Sequence, residues 1–182
     1  MSDLDHVFGD EWQPGPDGML FRRGARVLLF DEDDQLLLIR GHDFGKEDRS
    51  WWFTVGGGVG VGEDEATAAL REAREETGYV LSAGDLVGPV AERSAIFDFA
   101  LKHVRQDEVF FVARVERAEL DLSGQTAVES QFLDEYRWWD LDDLEAAQKE
   151  GATLYPAELV ALARSVVSGW DGKLLRLEDQ RD

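Results

Sequence analysis

Apolar and polar positions along the chain predict a run of strands interrupted by one long helix, with two more helices near the C-terminal end. Residues 19–30 and 35–40 are apolar runs on either side of the acidic turn Asp31-Glu32-Asp33-Asp34, the pattern of a β-hairpin. Residues 41–50 form a polar loop. Residues 51–55 make an aromatic strand whose alternation sends Trp51 and Phe53 to one face and Trp52 to the other. Beyond the helix, residues 79–91 carry β character broken by Gly84 and Gly88-Pro89. Residues 93–101 and 106–115 predict a long antiparallel hairpin with a basic tip at Lys102, His103 and Arg105. An acidic loop over 116–135 and a short strand over 136–139 follow. Asp140 caps a helix over 141–148, and Pro156 opens a last helix that ends at Ser168 before Gly169. With no internal repeat, this predicts one domain over 19–168, an irregular arm over 1–18 and an extension over 169–182 able to add an edge strand.

The long helix follows a glycine-rich stretch, with glycines at 56, 57, 58, 60 and 62. Asp64 is placed to cap it, and Gly78 to stop it after Thr77. At a helical period, Ala66, Ala69, Leu70, Ala73 and Thr77 share a small, mostly apolar arc suited to close packing on a sheet. Glu72, Glu75 and Glu76 share another arc of about 100°. Three like charges at that spacing repel one another unless something positive sits among them. Hard divalent cations are natural counter-ions, and Arg71 is placed to neutralise Glu75, Glu63 or both. The glycines remove the β-carbons that would keep backbone away from a metal or an anionic ligand. On residues alone, a solvated glutamate-rich helix after a flexible turn stays open.

Composition narrows the classes. The 182 residues contain no cysteine, which excludes disulfides, thiolate metal sites and cysteine nucleophiles. A formal charge of −20 argues against nucleic-acid backbones and anionic membranes as general partners, though a bound cation can reverse the sign locally for a small phosphate ligand. No signal-like or membrane-length apolar stretch is present, so the expectation is a cytoplasmic protein. No Gly-Lys-Ser/Thr follows the glycines, which excludes a phosphate-loop triphosphatase.

Gly57, Glu63, Arg71, Glu72, Glu75, Glu76 and Gly78 together resemble the signature of the Nudix hydrolase (MutT-like) family, G-x5-E-x7-R-E-U-x-E-E-x-G-U, where U is bulky and aliphatic. All seven fixed positions are present; Ala73 and Tyr79 depart at the two hydrophobic ones, and Val55 stands where many relatives have proline. The resemblance implies an α/β (α+β) fold, an α/β/α sandwich with a central mixed sheet. It implies that Glu72, Glu75 and Glu76 ligate Mg²⁺ or Mn²⁺ with the Gly57 carbonyl, and that Glu63 pairs with Arg71 to orient the helix. The implied activity is hydrolysis of a small nucleoside diphosphate derivative by activated water. The alternative is a non-catalytic binding or regulatory module on the same fold. The missing cysteine argues against the isopentenyl diphosphate isomerases of that fold.

Further expectations follow from the same resemblance. Arg40 ends its strand where an arginine often reaches substrate phosphate, and Trp52 is a candidate to lie beside a ligand's base. Glu108 resembles a glutamate that completes the metal site in some relatives, and Glu129 is a candidate general base alongside Glu75 and Glu76. Position 94 is Ser where ADP-sugar enzymes tend to have proline, and 96 and 97 are Ile and Phe where diadenosine polyphosphate enzymes tend to have tyrosine. The subfamily is therefore not assignable, and the terminal segments leave a homodimer open.

Overall fold

The computed structural model describes residues 8–43, 46–99, 102–125, 129–178 and 180–181. Its strands are β1 (Gln13–Pro14), β2 (Leu20–Phe30), β3 (Leu36–Asp43), β4 (Lys46–Gly58), β5 (Val87–Phe99), β6 (Lys102–Arg114), β7 (Leu133–Trp139), β8 (Leu154–Tyr155), β9 (Leu175–Arg176) and β10 (Gln180–Arg181). The helices are α1 (Glu65–Thr77), α2 (Leu141–Lys149) and α3 (Leu159–Val166). The strands join in one mixed sheet, which is the sandwich the resemblance implies.

The sheet is covered on both faces, and this explains the long apolar run at the end of β2. Val27 and Leu29 point to the core beneath α1, while Leu28 and Phe30 point to the core beneath α2 and α3. A strand buried on both sides has no polar face to alternate with. β2 runs parallel to β6 from Leu20↔Val104 to Phe30↔Arg114. Beside β2 the sheet forks: Gly24 to Val27 of β2 pair with Gly58 to Val55 of β4, whereas the earlier part of β4 pairs with β3. This fork carries the glycine stretch into the middle of the molecule.

Several boundaries differ from the expectations, for physical reasons. The hairpin over 19–30 and 35–40 touches in register only at Phe30↔Leu36, because β2 is claimed by β6 and β3 by β4 and β7. The polar stretch 41–50 holds the end of β3 and the start of β4, which pair with each other at His42↔Ser50 and Asp43↔Lys46, so backbone bonds hold polar residues in a ladder. Residues 79–86 are irregular apart from a 3-10 turn over Ala83–Asp85, with β5 starting at Val87. Lys102, His103 and Arg105 belong to β6 rather than to a tip, and His103 Nδ1 lies 3.0 Å from Asp98 Oδ1. The last helix begins at Leu159, because Leu154–Tyr155 before Pro156 pair with β4. The C-terminal extension adds β9 and β10 alongside β5. Among the described residues, no helix is long and apolar enough to cross a membrane.

Candidate active site

Helix α1 starts where Asp64 accepts the amide N–H of Thr67 at 2.7 Å and stops at Gly78, whose N–H donates to the Arg74 carbonyl at 2.9 Å. Its buried stripe is Ala68, Ala69, Glu72, Ala73, Glu76 and Thr77. Three of the six are alanines, so the helix backbone comes close to the sheet and brings two carboxylates down with it.

Those carboxylates meet the glycine stretch. Glu76 Oε2 accepts the Gly56 N–H at 2.8 Å. Gly56 has φ +132°, and a β-carbon there would lie 2.2 Å from the Ala25 carbonyl oxygen, so only glycine fits. A β-carbon on Gly57 would lie 2.6 Å from Glu72 Oε1. The backbone at 57 therefore makes a cradle for the Glu72 carboxylate. Gly57→Ala is expected to displace that carboxylate and lower turnover by about 10²-fold, with a much smaller change in melting temperature; steady-state kinetics beside a thermal melt checks this.

Arg71 organises the rest of the helix face. It forms a two-pronged pair with Glu63, Nε to Oε1 and Nη2 to Oε2 both at 3.0 Å, and Nη2 also donates to the Gly58 carbonyl at 2.9 Å. Gly60 N–H donates to Glu63 at 2.8 Å. The hydrogen bonds from Arg71 hold the Glu63 carboxyl below its usual range against the opposing effect of burial, and the same pair raises Arg71. Arg71 Nη1 donates to Glu72 Oε1 at 2.7 Å and to Glu75 Oε2 at 3.0 Å. Glu72 and Glu75 thus converge on one guanidinium nitrogen, while Glu76 binds the Gly56 amide. A guanidinium stands between 72 and 75, Glu75 is half exposed, and no three acidic or histidine side chains gather as a ready metal cage among the described residues. The chemistry of the donors still suits a hard cation: two buried carboxylates lie against backbone from which β-carbons are excluded.

The other candidates land differently. Glu108 is buried, with Oε1 accepting from Arg26 Nε at 2.7 Å and Oε2 from Arg93 Nε at 2.6 Å. Burial alone would raise its pKa, but the two guanidiniums bring it down to about 2. Its expected role as a metal ligand is thus replaced by ion pairs, because cationic side chains already occupy both oxygens. Trp52 is corrected too: it sits in the α2 and α3 core, edge-on to Trp139 at 5.2 Å, and leaves no ring face for a base. Arg40 lies 5.8 Å over that ring, with Nη1 3.4 Å from Glu135 Oε2, so its position is tied to β7 rather than to α1. Glu129 begins a 3-10 turn, and its side chain lies outside the described ones.

The sequence reading missed Arg22, Arg26, Arg93 and Gln106. Arg22 Nε donates to Gln106 Oε1, Gln106 Nε2 donates to Glu108, and Arg26 Nη1 donates to the Gly56 carbonyl at 2.7 Å. Three guanidiniums thus face one buried carboxylate, and the cluster reaches the glycine stretch through Arg26. Burial, together with repulsion from Arg26, lowers Arg22 to about 10, with Glu11, Glu108 and Glu72 opposing. Burial lowers Arg26 as well, but Glu108, Glu76 and Glu72 outweigh it and its pKa rises. A charged residue against an apolar run on each of two strands, Arg26 before Val27–Phe30 and Glu108 before Val109–Val112, was the available signal of a buried pair.

The NUDIX domain family model matches residues 20–161. The RNA pyrophosphohydrolase of Caulobacter vibrioides is 34% identical over 134 residues, covering 67% of this chain and 73% of that one. That of Rhodospirillum rubrum is 30% identical over 137 residues, covering 71% and 78%. The crystal structure of a MutT protein from Methanosarcina mazei superposes with a TM-score of 0.56 at 23% identity, over 79% of this chain and 91% of that one, and shares the fold. With the seven signature positions gathered on one loop and helix, and a family match across most of its length, this chain belongs to the Nudix hydrolase family.

Proposed function

We propose that the chain hydrolyses a phosphoanhydride bond in a nucleoside diphosphate derivative with Mg²⁺ or Mn²⁺. One observation carries this reading: the buried carboxylates Glu72 and Glu76 on the glycine stretch adjoin, through Arg26 and the Gly56 carbonyl, a cluster of three guanidiniums. A phosphoanhydride carries several negative charges, and cations on both sides of it are the arrangement that stabilises its cleavage.

Glu72, Glu75 and Glu76 with the Gly57 carbonyl would hold the cation, which when bound neutralises phosphate charge and acidifies water. Arg71 ties Glu63 and the glycine loop to the helix, so the carboxylates keep their places when the ligand arrives. Arg22 and Arg26 offer guanidinium donors to phosphate oxygens, a geometry that a planar fork suits better than an ammonium. Glu75, the most accessible carboxylate of the helix face, is the candidate to take a proton from water.

The relatives named RNA pyrophosphohydrolase add a 5′-triphosphorylated RNA to the substrates worth testing. The net charge of −20 favours the small ligand. The test is a panel of nucleoside diphosphate derivatives, nucleoside triphosphates and a triphosphorylated oligonucleotide, with Mg²⁺, with Mn²⁺ and with chelator, products being separated by ion-exchange chromatography. The expected result is metal-dependent release of a nucleoside monophosphate from a diphosphate derivative. No product from any member with either metal overturns the reading in favour of a binding module.

A further inference from the structure

Residues 8–14 of the N-terminal arm are seated on the guanidinium cluster. Trp12 is buried, its ring meets Phe8 edge-on at 5.5 Å, and Gln13 and Pro14 pair with Phe21 and Leu20 of β2. The Arg22 guanidinium lies 4.4 Å from the Trp12 ring centroid, a cation–π contact. Beside it, Glu11 Oε1 is 3.6 Å from Arg22 Nη1, and a β-carbon on Gly58 would come within 2.7 Å of Glu11 Cγ. The arm therefore reaches the same backbone whose Gly58 carbonyl accepts from Arg71.

The two carboxylates of this region hold their arginines differently. Glu108 binds Arg26 and Arg93 at 2.7 and 2.6 Å and is buried, whereas Glu11 stands at 3.6 Å from Arg22 with a quarter of its side chain exposed. Charge-assisted N–H···O contacts sit near ~2.8 Å when fully formed. The Glu11 contact is therefore loose and open to exchange, and the Glu108 contacts are not. Carboxylate and phosphate oxygens are the same kind of partner for a guanidinium. The ring of Trp12 keeps the guanidinium plane aimed while its partner changes.

We propose that Glu11 sets the affinity of the site for anionic ligands, its carboxylate holding the face of Arg22 that a ligand phosphate takes and must win from it. The proposal rests on the anion-binding role given to Arg22 under the proposed function, and its test needs no turnover. Binding of inorganic pyrophosphate is measured by titration calorimetry in metal-free buffer for the wild type, Glu11→Gln and Asp10→Asn. Asp10→Asn removes the same charge from an exposed neighbour on the arm.

Glu11→Gln is expected to bind pyrophosphate about three- to tenfold more tightly, the scale of a partly exposed ion pair, and Asp10→Asn to bind as the wild type does. Equal gains in both variants overturn the proposal, because the general field of the acidic arm would then account for them. Unchanged or weaker binding in Glu11→Gln, or no binding by any of the three proteins, also overturns it. A gain confined to Glu11→Gln in a protein that cleaves no nucleotide leaves the role of Glu11 standing and removes the hydrolase reading instead.

Discussion

Glu76→Gln is expected to lower metal-supported turnover by about 10²- to 10⁴-fold, the range spanned by loss of a catalytic carboxylate, while the fold persists. Glu76 is buried against the sheet and its Oε2 accepts the Gly56 amide at 2.8 Å. Glutamine has the same shape and can offer its carbonyl oxygen to that amide, so the strand-to-helix contact survives. What disappears is the negative charge beside the glycine stretch, which the proposed function requires both for the cation and for balancing Arg26. Turnover at saturating substrate, set beside a thermal melt, separates the two effects. Turnover within threefold of wild type in a folded variant would remove Glu76 from the machinery.

Glu108→Ala destabilises the protein by about 3–5 kcal/mol, the cost of stripping one partner from a buried ion pair. Arg26 and Arg93 each lose the carboxylate they bind at 2.7 and 2.6 Å, Gln106 loses an acceptor, and both guanidiniums are largely buried. Urea unfolding measures the loss. The pH dependence supplies a second signature. Glu108 titrates near 4.5 when unfolded and near 2 in the folded protein, so its stabilisation is fully present above the unfolded value and is lost as pH falls toward 2. That part of the acid limb, on the order of 3 kcal/mol, is expected in the wild type and absent from the variant. An identical acid limb in both proteins would mean that the arginine pairs are not formed in solution.

The helix was the most legible part of the chain. Asp64, Gly78 and the spacing of the alanines are local signals, and the observed Glu65–Thr77 follows them closely. Three of its six buried residues, Ala68, Glu72 and Glu76, lie outside the apolar arc drawn from the pattern, and Ala66 and Leu70 of that arc are only partly buried, because the stripe the sheet covers runs through the two glutamates. Glu63 with Arg71 was equally legible, being eight residues apart across the first turns of the helix. The strands were harder. The polar segment 41–50 becomes strand because its two ends pair with each other through backbone groups, and nothing in its side chains announces that pairing.

The sequence alone determined the family, the long helix with its caps, the glycines that admit carboxylates to the backbone, and a set of acidic groups in need of positive charge. All of these depend on neighbours within a few turns of chain. Only the tertiary structure decided which positive charges answer them. Arg71 enters between Glu72 and Glu75, Arg26 and Arg93 reach Glu108 from strands 82 and 15 residues away in sequence, and Glu11 arrives on an arm that looked peripheral. Trp52 and Arg40 were read as ligand contacts and turned toward the core and β7 for the same reason. Burial makes an unpartnered charge costly, but which partner removes that cost is set by strand register, and register belongs to the whole sheet rather than to any one segment.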